Sequence, residues 1–332
     1  MSGKSQQGTL VLRRSEVAAL LDLDACIDAV EGAFRLYGEG RVAAPAIVGV
    51  HVSEGGFHIK AGVMEVGRPY FAAKTNANFM NNRARFGLPT IQGTIVLHDA
   101  ENGAPLALLD SIEISIQRTG AATAVAAKYL ARAESSVVAL AGCGAQGHVQ
   151  LRALTRVLPI RRASVWDIER ARADQLAGNL EQQLGIPIAV VENFAEVARV
   201  ADVCITCTPS TAYILNEVRP GTFVAGVGVD NPHKKEIAPA LMRRSKVVVD
   251  VLEQCAMIGD LHHALEDGAM TRDAVHAELG AIVAGREVGR SGVEEVVIFD
   301  STGMALQDVA AAVVVYERAL AGGVGQWIDF AS

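Results

Sequence analysis

The stretch VVALAGCGAQGHVQLRAL, residues 137–154, sets Gly142, Gly144 and Gly147 between a run of small apolar residues and a helical pattern. A GxGxxG spacing alone is a weak signal. Here it has its full context: a strand pattern before it, a helix pattern opening inside it, and Asp167 closing the next strand pattern, 25 residues beyond Gly142. The chemistry this suits is phosphate binding by backbone. Gly142 permits a tight turn, Gly144 lets the chain approach a pyrophosphate, and Gly147 lets the helix pack on the strand. With Ala145 and Gln146, these residues open a helix whose free N–H groups and dipole favour an anion. A carboxylate at Asp167 accepts from both ribose hydroxyls and repels a 2′-phosphate. The expected cofactor is therefore NAD, with Arg170 and Arg172 leaving NADP open.

Three charged residues elsewhere have the right types for proton and anion chemistry. Lys74 sits in the apolar strand pattern YFAAKTNANF. Arg118 opens RTGAATAVAAKYLA, just before an Ala-rich helix pattern, and Asp230 follows a strand in GVGVDNPHKKEI. The carboxyl ends of strands in a doubly wound sheet face a ligand crevice, which favours Asp230. Singly, each reads as readily as a solvated charge. In GGFHIKAGV, His58 and Lys60 share one face of a strand by alternation.

Two metal or redox readings are set aside. Cys204 and Cys207 form a CxxC, but on a buried strand residues three apart point to opposite faces. His262 and His263 are adjacent on a helix pattern, so one metal is not expected to be chelated from one face, and no metal site is expected.

The elements that must position these residues fall into two kinds. Val-rich strand patterns alternate with helices from about residue 119 to 300, which predicts a parallel, doubly wound sheet. Before it, one helix is predicted over SEVAALLDLDACIDAVEGAFRLYGEG, ending at Gly38 or Gly40. Strands follow in succession (AIVGVHV, FHIKAGV, PYFAAKTNANF, TIQGTIVLHD, APLALLD), with a turn at Asn102-Gly103. The expected architecture is a Rossmann-type domain, 118–302, inserted into an α+β substrate-binding and dimerisation domain, 1–117 plus 303–332.

A chain of 332 residues, half of them hydrophobic, can fill two such cores. A net charge of −7 offers no basic footprint for nucleic acid. MSGKSQQGTL lacks the apolar core of a secretory signal. The run MALQDVAAAVVVYERAL is broken by Gln307, Asp308, Glu317 and Arg318 and cannot span a bilayer. No membrane association is expected, and the expected location is the cytoplasm, with the five cysteines as free thiols.

Together, RTGAATAVAAKYLA, AGCGAQGHVQLRAL, GVGVDNPHKKEI and IFDSTGMALQD resemble the ornithine cyclodeaminase/mu-crystallin family in order and spacing. The resemblance implies homodimers and hydride transfer between nicotinamide and the carbon of a C–N bond. It also implies roles: Lys74 as the active-site lysine, Arg118 for the substrate carboxylate, Asp230 beside the reacting nitrogen, and Thr90 in the same site. Thr119, Thr208, Lys234 and Ser301 fall at positions that contact the cofactor or close over it.

The chain departs from the family at RVAAPAIVGV, where Ala46 and Ile47 stand in place of a second carboxylate-binding arginine. His58 and Lys60 are candidates to replace it, and they would receive a second amine poorly. The expectation is an NAD(P)-dependent reductase of a cyclic or open imino acid. A cyclodeaminase of ornithine or lysine, an alanine-type dehydrogenase and a non-catalytic ligand binder are the alternatives.

Overall fold

The computed structural model describes residues 8–330; residues 1–7, most of the stretch read above for a secretory signal, lie outside them. By contacts, the chain divides into two compact units. One comprises the described residues up to Ala33, then Gly40–Arg118 and the described residues from Met304; the other comprises Phe34–Glu39 and Thr119–Gly303.

The first unit opens with β1 (Thr9–Leu12), α1 (Arg14–Leu20) and α2 (Leu23–Gly38). One helix is predicted where the structure has two. Leu21 is extended, and the Asp22 carboxylate accepts from the Ala25 N–H at 2.8 Å, restarting the helix as a side-chain cap does. The last turn of α2 belongs to the second unit. Arg35 donates to the Val283 carbonyl at 3.1 Å, and Gly38 lies against the Gly280 backbone with no room for a Cβ.

Strands β2 (Ala46–Val52), β3 (Gly55–Val66) and β4 (Arg68–Asn78) follow, then α3 (Asn82–Phe86), β5 (Ile91–Asp99), β6 (Pro105–Asp110) and α4 (Ile112–Leu130). The chain reverses at Asn102-Gly103, where Gly103 has φ +80° and the Asn102 side chain accepts from the Ala104 N–H. α4 starts earlier than the sequence reading has it. Asp110 caps its first turn by accepting from Ile112 N–H at 3.0 Å, so Arg118 lies within the helix and not ahead of it.

The second unit is an eight-stranded sheet. Its elements are β7 (Val137–Ala141), α5 (Ala145–Val157), β8 (Arg162–Trp166), α6 (Arg170–Leu184), β9 (Ile188–Val190), α7 (Phe194–Ala198), β10 (Val203–Thr206) and β11 (Phe223–Gly226). They continue with α8 (Pro239–Arg243), β12 (Lys246–Val249), α9 (Leu252–Ile258), α10 (Asp260–Glu266), β13 (Ala277–Glu278), α11 (Leu279–Val283) and β14 (Val297–Asp300). The strand order is β13-β12-β14-β11-β10-β7-β8-β9, all parallel. The order reverses between β7 and β10, the switch point at which doubly wound sheets hold ligands. The central strands β10, β11 and β14 are buried throughout, which is why they read as continuous apolar runs without alternation.

The chain then re-enters the first unit through α12 (Ala305–Gly322) and β15 (Gln326–Ile328). β15 completes a seven-stranded mixed sheet, β15-β1-β6-β5-β4-β3-β2, and α12 packs across β3 and β4. Among the described residues, no helix is long and apolar enough to cross a membrane.

Candidate active site

In the first unit, register brings the charges together. Lys74 stands mid-strand in β4, paired with Lys60 of β3 on one side and Ile95 of β5 on the other. Its Nζ lies 2.7 Å from both carboxylate oxygens of Asp308, in the first turn of α12. Arg118 Nε is 3.3 Å from the same carboxylate, and Arg118 Nη1 donates to Gln307 Oε1 at 3.1 Å. Lys74, Arg118 and Asp308 are 3, 9 and 2% exposed. One buried carboxylate thus serves two cations, with Lys60 as a third charge felt by both Lys74 and Asp308.

The electrostatics follow from that imbalance. Burial pushes the Lys74 ammonium down to about 7; Asp308 opposes the fall, while Arg118 and Lys60 add to it. Burial works to raise Asp308, but Lys74 and Arg118 hold it below the usual carboxylate range. Gln307 Nε2, buried beside Arg118, has no hydrogen-bond partner among the described residues. The group is short of negative charge and has a spare donor, so a carboxylate would complete it.

His58 pairs with Asn76 one cross-strand step from Lys60, on the same face as Lys74. Ile47, at the departure from the family pattern, pairs with Lys60 itself. Thr90 is not brought to Lys74. Its carbonyl accepts from Phe79 N–H just past the end of β4, about 16 Å along the strand from Lys74.

The second unit gathers the other expected residues at the carboxyl edge of its sheet. Gly142 has φ +99°, and a Cβ on Gly147 would stand 2.2 Å from the Gly142 carbonyl oxygen; neither position tolerates a side chain. Gly144 caps α5, with open space where a Cβ would be and no side chain capping the N–H groups from Ala145 onward. Asp167 braces the loop, accepting from Cys143 N–H at 2.8 Å and Glu169 N–H at 2.9 Å. Arg170 pairs with Asp174 and Glu192, and Arg172 with Glu169.

Thr208 follows β10, and its N–H and hydroxyl both donate to Glu236 Oε1, at 2.6 and 2.7 Å. Glu236 Oε2 accepts from Gly228 N–H at 3.1 Å, so this one acid ties the loops after β10 and β11. Asp230 pairs with Lys234 at 2.8 Å, and the Ser301 hydroxyl donates to Asp250 at 3.1 Å. Thr119, on α4, is buried.

Behind these loops lies a set of buried acids. Asp260 accepts from Glu236 and Ile237 N–H, and Asp300 accepts from Asp260 and Leu261 N–H. Burial and mutual repulsion raise all three carboxyls well above the usual range, Glu236 to about 7.

Asp308, Gln307 and Glu236 escape the sequence reading as site residues. The signal for the first two is visible: adjacent polar residues, at an otherwise apolar stretch, on a helix that is buried on nearly every side. His262, His263 and Glu266 bring their ligand atoms within 4.8 Å of one another, because Glu266 lies one turn on from both rings. Cys204 and Cys207 are free thiols, as are the other three cysteines.

The fold has close counterparts. An archaeal alanine dehydrogenase dimer with bound NAD matches with a TM-score of 0.93 and 38% identity, over 97% of this chain and 99% of that one. The Δ1-pyrroline-2-carboxylate reductase of Thermococcus litoralis, in complex with NADH and L-proline, matches with 0.91 and 33%, over 96% and 100%. The iminosuccinate reductase of Paracoccus denitrificans, in complex with NAD+, matches with 0.90 and 31%, over 97% and 99%. The ornithine cyclodeaminase/mu-crystallin family model covers residues 7–323. With a glycine loop opening α5 in one unit, a buried Lys74–Asp308–Arg118 group in the other and the family model matched over nearly its whole length, this chain belongs to the ornithine cyclodeaminase/mu-crystallin family.

Proposed function

We propose that the protein is an NAD(P)-dependent oxidoreductase that reduces the C=N bond of a cyclic or open imino acid to an amino acid. One observation carries the reading: a fully buried lysine that titrates near neutrality, inside a cationic group lacking one negative charge. Relatives named alanine dehydrogenase, pyrroline-2-carboxylate reductase and iminosuccinate reductase support it.

The residues fit a dinucleotide. The Gly142–Gly147 loop and the uncapped start of α5 would hold its pyrophosphate, Asp167 its ribose, and Thr119, Thr208, Lys234 and Ser301 are assigned to its remaining contacts. Arg170 and Arg172 are already paired with acids, which supports NAD over NADP. When bound, the nicotinamide supplies or receives the hydride.

The chain's own residues do the rest. Arg118 takes the substrate carboxylate, in the two-point grip that guanidinium geometry favours. That added negative charge favours the ammonium form of Lys74, so substrate binding itself charges the proton donor. Lys74 passes its proton to the imine nitrogen, because an iminium carbon accepts hydride more readily than a neutral imine. Asp230, assigned from the family pattern, stabilises the cationic nitrogen. Lys60 and His58 are assigned to a second acidic or polar group on the substrate, Lys60 taking the place of the absent arginine beside Ile47. Thr90 belongs to the substrate residues by family position only, since its strand-end location gives it no support.

The sheet face opposite Lys60 and Lys74 supports a homodimer. Val48, Val50 and Val63 are 52, 47 and 44% exposed there, alongside Phe57. Such an apolar patch marks an interface, and Val50→Lys is expected to yield monomers in light scattering. The free thiols fit a reducing compartment, the cytoplasm.

NADH and NADPH oxidation against pyrroline-2-carboxylate, piperideine-2-carboxylate, and pyruvate, glyoxylate or oxaloacetate with ammonia or methylamine tests the reading. The expected outcome is turnover that Lys74→Met lowers by about 10²–10⁴. Ammonia release from ornithine or lysine with catalytic NAD, and no reductase turnover, would make it a cyclodeaminase; inertness in both would make it a binder.

A further inference from the structure

We infer that α10 carries a site for a divalent transition ion of the zinc class, built from His262, His263 and Glu266. Each ring has one nitrogen committed to a backbone carbonyl: His262 Nδ1 to Ala256 O at 3.2 Å, and His263 Nε2 to Lys234 O at 2.7 Å. A carbonyl only accepts, so those nitrogens carry the protons. In the neutral rings the lone pairs are left on His262 Nε2 and His263 Nδ1.

Those two atoms are the ones that face Glu266. They lie 3.3 and 4.0 Å from its Oε2, and the three ligand atoms are within 4.8 Å of one another. Adjacent helical residues diverge by about 100° around the axis. Here the acid i+4 from one ring and i+3 from the other draws them to a common point. Two imidazole nitrogens and one carboxylate suit zinc, leaving a fourth position open. The N–H to carbonyl bonds are the outer contacts that orient ligating histidines and make them more basic.

The site touches the nucleotide unit's functional loop. The Lys234 carbonyl receives the His263 N–H, and the Lys234 ammonium holds Asp230 at 2.8 Å. An ion on His263 Nδ1 strengthens that N–H as a donor and stiffens the segment from Asp230 to Lys234. This second consequence rests on the function proposed above; the binding does not.

Co2+ titration of the whole metal-free protein, read by its visible ligand-field absorption and competed with Zn2+, tests the site. One equivalent is expected to bind with nitrogen and oxygen ligation. His262→Ala and Glu266→Gln are each expected to weaken it about tenfold or more. Equal affinity in the variants and the parent, no binding, or a thiolate charge-transfer band from a cysteine ligand would overturn the site. Added Zn2+ is expected to change KM in the parent enzyme and leave His262→Ala unchanged. Binding without that response would overturn the link to Asp230 alone, whatever the reaction proves to be.

Discussion

Asp308 in the first unit and Asp260 in the second are both fully buried carboxylates, yet their surroundings treat them in opposite ways. Asp308 sits among Lys74, Arg118 and Lys60 and stays ionised despite its burial. Asp260 accepts two backbone N–H groups and lies near Asp300, so burial and repulsion hold a proton in the cluster. The first arrangement leaves two cations sharing one carboxylate, with Lys74 brought down to about 7. The second locks the loops after β10 and β11 through Glu236 and contributes shape. A buried acid partnered by cations is poised for chemistry; one partnered by amides and other acids is scaffold.

Four measurements sharpen or break that contrast. The largest effect is expected from Lys74→Met, a loss of about 10²–10⁴ in kcat with the fold intact, since proton transfer contributes on that order. A variant still turning over at the parental rate would make Lys74 structural. Next is Asp308→Ala, which leaves two buried cations without a counter-charge. Denaturant titration should find it less stable by about 3–5 kcal/mol, the usual penalty for breaking a buried pair.

Asp308→Asn is expected to act through pH. Asp308 supports the Lys74 ammonium, so the limb where kcat/KM falls as pH rises through about 7 should move to lower pH. The smallest effect belongs to the other acid. Asp260→Asn keeps an oxygen for the Glu236 and Ile237 N–H groups and should cost no more than about 1 kcal/mol.

Stability against pH tells the two acids apart by sign. Glu236, raised from 4.5 to about 7, and with it Asp260 and Asp300, bind more protons folded than unfolded. The contribution of Glu236 is fully present below pH 4.5 and that of the two aspartates below 3.8, and it is lost as pH rises through about 7 to about 8; Asp260→Asn should flatten that loss. Asp308, lowered, contributes stability that is lost as pH falls through its folded value.

The chemistry on local motifs is legible in the sequence. The glycine loop declares itself because strand, turn and helix lie within 18 residues, and the conformation of Gly142 is a local demand. Lys74 and Arg118 stand out as charges inside apolar patterns, and strand alternation alone puts His58 and Lys60 on one face. Asp308 is 234 positions from Lys74, and only the return of α12 onto β3 and β4 brings them together. Spacing carries no trace of such a contact. Glu236 hides for the same reason, its partners lying on two separate loops. The break before α2 is lost because Leu21 continues an apolar helical pattern while Asp22, a capping residue, interrupts it without breaking the period.

The central claim is that hydride reaches an imino carbon in a site where Lys74 supplies the proton. NADH carrying deuterium at the transferring position, reacted with the best imino acid of the panel, gives the most direct test by mass spectrometry and NMR of the product. The account predicts an amino acid deuterated at Cα, with kcat/KM declining above about pH 7 in the parent and that pH dependence gone in Lys74→Met. Deuterium absent from the product, or an unchanged profile in the variant, would contradict it.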